Sequence, residues 1–97
     1  MFVDISDNVR HFFWHYSQER RLPLYQALVE ELVNISSKTR LVENNDQLNA
    51  LKHQLKGICR YLSLEFDARI EEITRHQQLH CMVEHIHGQV VAIADEL

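Results

Sequence analysis

The sequence contains few residues that interrupt regular structure. Among its 97 residues there are only two glycines and one proline. So few turn-forming residues indicate a small number of long elements, which favours helices. The length allows one domain with one modest core. Because 45% of the residues are hydrophobic and 25% are charged, the composition is that of a folded globular protein rather than of a disordered chain.

Other absences exclude classes of function. No apolar run approaches the length that crosses a bilayer, and the N-terminal MFVDISDN lacks the basic and apolar blocks of a signal peptide, so no membrane association is expected. The formal net charge of −4 argues against a nucleic-acid partner. Cys59 and Cys81 do not form a CxxC or zinc-type spacing, which favours a reduced, cytoplasmic compartment over a disulfide. From the start at Met1 we expect a free-standing protein rather than one domain of a hybrid kinase.

Helical periodicity runs through almost the whole chain. We predict five amphipathic helices. The first is capped by Ser6 or Asp7, and the second begins at Pro23 and frays from Ser36. The third covers about 46–62 and is capped by Asn45 or Asp46, the fourth is capped by Ser63, and the fifth covers about 78–96. Short connections make sequential helices antiparallel neighbours. The sequence therefore predicts an all-α fold, an antiparallel four-helix bundle with an additional N-terminal helix, as a single domain over residues 1–97.

One histidine lies off the apolar stripe of the third helix. The stripe runs through Leu51 and Leu55, and at about 100° per residue His53 points about 200° away from each of them. The residues three, four and seven positions further on share its face: Lys56, Gly57 and Arg60. A glycine inside a helix costs about 0.5–1 kcal/mol relative to alanine. We interpret Gly57 as leaving space beside the imidazole for a bulky partner.

The chemistry that fits this face is nucleophilic. A neutral, exposed imidazole can attack a phosphoryl group through one ring nitrogen and form a phosphohistidine. Lys56 and Arg60 are spaced to offset the negative charge that the phosphoryl group brings. The chain has no Gly-rich phosphate loop and no carboxylate set for magnesium, so it has no ATP site and no cofactor of its own is expected. The phosphoryl donor and its metal must therefore come from another protein.

The stretch HQLKG, His53 to Gly57, resembles the H-x-x-K-G signature of histidine phosphotransfer (HPt) domains. The preceding NNDQLNALK and the following YLSLEFDARIEEI are similar to the helix entry, turn and next helix of that family, and the resemblance covers the chain from about residue 20 to its end. It implies an intermediate of a two-component phosphorelay. Such a protein accepts a phosphoryl group on the histidine from the aspartate of a response-regulator receiver domain, or from a hybrid sensor kinase, and passes it to another receiver.

The same resemblance assigns roles to individual residues. His53 would be the phosphoryl acceptor, Lys56 would bind the phosphoryl oxygens, and Gly57 would give clearance to the docking receiver. Arg60 would support phosphate binding or narrow the choice of partner, and Gln26, from the preceding helix, would orient the imidazole. The sequence departs from the family at Ser63, where a glycine commonly ends the motif, and at Ile58 and Cys59, where small residues are usual.

Two alternative functions remain open from the sequence. The first is a helical interaction or regulatory bundle without phosphotransfer, in which His53 is an ordinary surface residue. The second is a metal-binding helical protein that uses HQQLHCMVEHIH, where helical spacing offers four ligands: His76, His80, Glu84 and His87. The segment lacks the glutamate of the H-E-x-x-H metalloprotease motif. We expect instead that these residues form the polar face of the last helix, with a pH-sensitive charge and no bound metal.

Overall fold

The computed structural model describes residues 3–97. Its elements are α1 (Ser6–Trp14), α2 (Gln18–Thr39), α3 (Asn45–Tyr61), α4 (Asp67–Glu71), α5 (His76–Ala92) and a short 3-10 helix (Ala94–Glu96). Every regular element of the described residues is helical, which confirms the all-α prediction. None of these helices combines the length and the apolar character that crossing a bilayer requires.

The long helices pack through the apolar stripes seen in the sequence. The most extensive helix contact joins α2 and α5, while α3 packs on α2 and α4, and α1 lies against both α2 and α5. Every α-helix contributes fully or almost fully buried side chains to one core, among them Phe13, Leu32, Leu55, Ile70 and Ile86. This common core holds α3 with one face inward and the opposite face in solvent.

The second helix begins five residues earlier than predicted. It starts at Gln18 after the extended residue Ser17, so the prediction that Pro23 is its first residue is wrong. The charged residues before Pro23 form the first turn, where Glu19 suits the positive end of the helix. Pro23 cannot donate a hydrogen bond to the Glu19 carbonyl, but both residues are exposed, so water can satisfy that carbonyl.

The other helix ends differ from the predictions by a few residues. Helix α2 continues to Thr39 rather than fraying from Ser36, because Thr39 is fully buried. Helix α3 is capped by Asn44, whose side chain accepts a hydrogen bond from the Gln47 amide at 2.9 Å. This cap lies one residue before Asn45 and two before Asp46, the two predicted caps. Ile5 stands at the N-cap of α1, and α5 covers His76–Ala92.

The predicted fourth helix shrinks to the single turn of α4. Ser63 does not cap it; instead this residue ends α3 with a positive φ of 58°. The Leu64 amide donates to the Cys59 carbonyl at 2.8 Å and the Ser63 amide to the Arg60 carbonyl at 3.0 Å, which is the Schellman pattern of a helix C-terminus. The chain therefore turns at Ser63, runs without helical structure through 64–66, and regains helical structure only at Asp67.

The positive φ at Ser63 predicts a stabilising substitution. Ser63→Gly should raise the free energy of unfolding by about 1 kcal/mol, because a side chain in the left-handed region costs about 1–2 kcal/mol and glycine has none. Urea denaturation followed by circular dichroism measures the change. Ser63→Ala is the matched control: it keeps the Cβ and should give no gain. Equal stabilisation by both variants would contradict the backbone explanation.

The two cysteines are free thiols in separate environments. Cys59 lies in the core and Cys81 is exposed on α5, so the disulfide alternative is not realised. Burial raises the pKa of the Cys59 thiol to about 12, so this thiol stays protonated at neutral pH. Cys59 therefore packs in the core as a small apolar side chain.

Candidate functional site

His53 lies in the middle of α3, on the side opposite the core. Leu51 and Leu55 on either side of it are buried, whereas His53 itself is exposed. Gly57, one turn further on, is also exposed, and a Cβ built there meets nothing within 4 Å among the described residues beyond its own helix. The imidazole therefore borders an open surface that a partner can approach closely.

Lys56, on the same face of α3, is ion-paired with α4. Its ammonium contacts the carboxylate of Glu71, the last residue of α4. The Lys56 side chain is 18% exposed, while that of Glu71 is 62% exposed. The cation predicted to meet a phosphoryl group thus already has a carboxylate partner in this state of the protein.

Arg60 makes a second ion pair with α4. Its guanidinium donates to a carboxylate oxygen of Asp67 at 2.7 Å, and both side chains are largely in solvent. The hydrogen bond to Asp67 raises the pKa of Arg60, so the guanidinium is charged at all relevant pH values. Arg60 therefore holds the first turn of α4, as Lys56 holds its last residue.

Lys52, a buried lysine that was not identified from the sequence, lies on the same side of α3 as Lys56 and Arg60. Lys52 is 8% exposed, and its ammonium donates to the backbone carbonyls of Ile73 at 2.8 Å and Glu71 at 3.2 Å. We call the three cations spaced four residues apart on α3 the basic row: Lys52, Lys56 and Arg60. The regular spacing was visible in the sequence, but the Glu71 and Ile73 carbonyls that Lys52 satisfies were not.

Gln26 does not reach the imidazole. It is exposed on α2, and no hydrogen bond joins it to His53 in the described part of the chain. The α2 residues that line the groove beside Gly57 are instead Leu24, Ala27, Leu28 and Glu31. The sequence does not reveal the register between α2 and α3. In the observed register Gln26 makes no hydrogen bond that could orient the His53 imidazole.

A groove between α2 and α3 borders the Gly57 side of the site. Its volume is about 380 Å³, and it is lined mainly by apolar side chains together with Gln54, Gly57 and Glu31. Tyr61, 70% exposed, also lines this groove and packs edge-on against Phe12 of α1, with ring centroids 5.9 Å apart. Tyr61 also lines a second cleft of about 610 Å³ against α1. This apolar surface beside His53 was not identified from the sequence.

The histidine-rich segment of α5 does not assemble a metal site. Across residues 3–97 no three histidine, cysteine or acidic side chains are placed to hold an ion, so the four candidates do not form a ligand set: His76, His80, Glu84 and His87. The Thr39 hydroxyl donates to the Ser36 carbonyl and the Ser36 hydroxyl to Glu84 at 2.6 Å, so the His80 Nδ1 must donate to Thr39 at 2.9 Å. Ser36 and Thr39 of α2 are thereby joined to Glu84 and His80 of α5.

This polar contact has a measurable pH signature. The Ser36 hydrogen bond, followed by the charges of His80, His87 and Arg40, lowers the pKa of Glu84, although its partial burial opposes them. A carboxylate with a lowered pKa adds stability that is complete above its unfolded-state pKa and is lost as the pH falls through the folded-state pKa. The link between α2 and α5 is therefore weakened by acid.

Ser36→Ala should move the pKa of Glu84 back toward its ordinary value and reduce the loss of stability between neutral and acidic pH. An NMR titration of the Glu84 side-chain carboxyl measures the pKa, and urea denaturation at several pH values measures stability. Ser37→Ala, an exposed neighbour, is the control and should leave both unchanged. An unchanged Glu84 pKa in Ser36→Ala would contradict the assignment of this hydrogen bond.

No protein-family model matches the chain, and no curated protein or solved structure is detectably similar to it. What the site can do is therefore argued from its own residues. It offers one exposed imidazole, an open position at Gly57 and the basic row along one flank. An imidazole is a nucleophile and a base, and the nearby cations favour an anionic reaction partner.

Proposed function

We propose that this chain is a histidine phosphotransfer protein of a two-component phosphorelay, with His53 as the phosphoryl acceptor. The observation that carries the proposal is the placement of exposed His53 on the outward face of α3, next to open space at Gly57 and the cation of Lys56. The protein is a phosphocarrier rather than a self-sufficient enzyme. It works in the cytoplasm, and its partners are the receiver domains of response regulators or of a hybrid sensor kinase.

The proposed reaction exchanges one phosphoryl bond for another. The unprotonated ring nitrogen of His53 attacks the phosphorus of an aspartyl phosphate on the receiver, forming an N–P bond. The P–O bond to the aspartate breaks, and its electron pair stays on the aspartate as a carboxylate. The second ring nitrogen keeps its proton until water accepts it. The receiver supplies the magnesium ion, and the reverse steps deliver the group to the next receiver.

The surroundings of His53 support this chemistry in two ways. Lys56 is near enough along α3 to turn from Glu71 to a phosphoryl oxygen, and Arg60 adds positive charge on the same face. The apolar groove lined by Gly57 and Tyr61 supplies a docking surface beside the nucleophile. A receiver that packs on this groove would bring its aspartate over Gly57 toward the imidazole.

The architecture we propose for this function is the antiparallel four-helix bundle of the HPt family. Its members would be α2, α3, the single-turn α4 and α5, with α1 as the additional helix. The packing of α3 on both α2 and α4, and of α5 on α2, supports this arrangement. In it, α3 exposes one ridge between α2 and α4, and that ridge carries His53.

The test is phosphoryl transfer to the purified protein. A panel of receivers phosphorylated by a small-molecule donor is mixed with the full chain, and intact mass is recorded at mildly basic pH. We expect the mass of one phosphoryl group to be added, lost on acid treatment, and passed back to an unphosphorylated receiver. Absence of labelling by every receiver would reject phosphotransfer.

The second candidate function is an interaction bundle that binds a receiver without phosphotransfer. The observation that favours it is that Lys56 and Arg60 are both already paired with carboxylates of α4. Under this function a receiver would bind, its affinity would depend on Tyr61, and no phosphohistidine would form. The same labelling experiment, combined with a binding measurement on each receiver, separates the two functions.

A further inference from the structure

Glu71 is held in place more firmly than an ordinary surface carboxylate. The residue before it, Ile70, is fully buried, and Ile73 is almost fully buried. The buried ammonium of Lys52 also donates to the backbone carbonyl of Glu71 at 3.2 Å. Its carboxylate therefore starts from an anchored backbone, and the ion pair with Lys56 costs less side-chain and chain entropy than a pair between two mobile residues.

Lys56 cannot neutralise the charges of two anions at the same time. An ammonium is a single point charge, and a phosphoryl group on His53, three residues away on the same helix face, carries a charge of about −1.5 to −2. With Lys56 on Glu71, the phosphoryl group lacks the Lys56 cation; with Lys56 on the phosphoryl group, Glu71 loses its partner. In either arrangement the carboxylate raises the free energy of the phosphorylated state.

We propose that Glu71 is a positioning residue that competes with the phosphoryl group for Lys56 and thereby lowers the stability of phosphohistidine at position 53. This inference rests on the proposed phosphotransfer function and adds to it a residue that sets the transfer equilibrium. A carrier must release its phosphoryl group as well as accept it. Glu71 prevents the phosphorylated state from becoming too stable to release its phosphoryl group, because the unphosphorylated state regains the Lys56–Glu71 ion pair.

The chain provides a matched control next to the residue tested. Glu72 carries the same charge, is exposed, and has no ion-pair or hydrogen-bond partner for its carboxylate among residues 3–97. Glu71→Gln and Glu72→Gln therefore remove the same charge from adjacent positions, but only the first frees Lys56. A general effect of net charge would appear in both variants, while competition for Lys56 would appear in one.

The experiment measures the equilibrium between phosphorylated receiver and phosphorylated His53 for the wild type and both variants. We expect Glu71→Gln to shift it toward the phosphohistidine by about two- to five-fold and to slow return transfer, while Glu72→Gln stays near the wild type. Equal shifts in both variants, or no increase with Glu71→Gln, would overturn the inference while leaving phosphotransfer intact. An unlabelled wild type would instead reject the proposed function.

A second measurement tests the competition without any phosphoryl group. His53→Glu places a carboxylate on the same face, and the unfolding equilibrium is measured in urea for His53→Glu, Glu71→Gln and the double variant. If both anions compete for Lys56, the effects are non-additive by about two-fold in the unfolding constant, with the double variant more stable than the sum predicts. Additive effects would overturn the inference even if labelling succeeds.

Discussion

Replacing His53 with glutamine should abolish phosphoryl labelling, with a loss of about 100-fold or more in the amount of phosphorylated protein. The amide of glutamine has no nucleophilic nitrogen, and none of the remaining histidines lines the groove that contains Gly57. The fold should be unaffected, within about 0.5 kcal/mol, because His53 is exposed and not part of the core. Intact mass after incubation with a phosphorylated receiver measures the effect.

The control is His87→Gln, which removes an imidazole from α5 at a position facing Ser36 and Glu84 rather than α3. It should be labelled like the wild type. Receiver binding should also persist in His53→Gln, because the apolar groove and Tyr61 are unchanged. Labelling of His53→Gln at the wild-type level would show that another residue accepts the group, and the site assigned to α3 would then be wrong.

Replacing Phe13 with alanine should lower the free energy of unfolding by about 3–5 kcal/mol, the usual cost of removing a large buried aromatic side chain. Phe13 is fully buried, and its ring lies 6.3 Å from that of Tyr25 and 5.0 Å from that of Phe12. Domains of this size have total stabilities of about 5–15 kcal/mol, so the variant should be close to unfolding. Urea denaturation followed by circular dichroism measures the change.

Trp14→Ala is the matched control for this prediction. Trp14 follows Phe13 directly but is 47% exposed, and the Arg21 guanidinium lies 4.4 Å from its ring centroid. Its removal should cost about 1 kcal/mol or less. Equal losses from both substitutions would contradict the placement of α1 in the core and favour a loosely attached N-terminal helix.

Some departures from the predicted helix ends have a common physical reason. Pro23 and Ser63 were assigned to helix starts from local preferences, but tertiary contacts decided otherwise. The Arg21 side chain donates to the Phe13 and Tyr16 carbonyls at 3.3 and 3.1 Å and ties the start of α2 to the end of α1. Leu64 and Phe66, both almost fully buried, draw the chain away from helical structure after Ser63.

The sequence by itself determined the helical class, the inward face of each long helix and the exposure of His53. These follow from the three- and four-residue spacing of apolar side chains, which is a local property that any core must respect. For the same reason, the spacing alone predicts an open surface at Gly57, which lies away from the stripe that contains Leu55, and the space around Gly57 agrees with it.

Only the tertiary structure decided which groups surround His53. Three features depend on the register between helices: the pairing of Lys56 with Glu71, the burial of Lys52 against the Glu71 and Ile73 carbonyls, and the absence of a hydrogen bond between Gln26 and His53. That register is set by packing across the core between residues far apart in the chain. The turn at Ser63 also sets it, because this turn fixes the direction in which the chain leaves α3. Helical periodicity carries no information about it, because periodicity orients each helix without placing its neighbours.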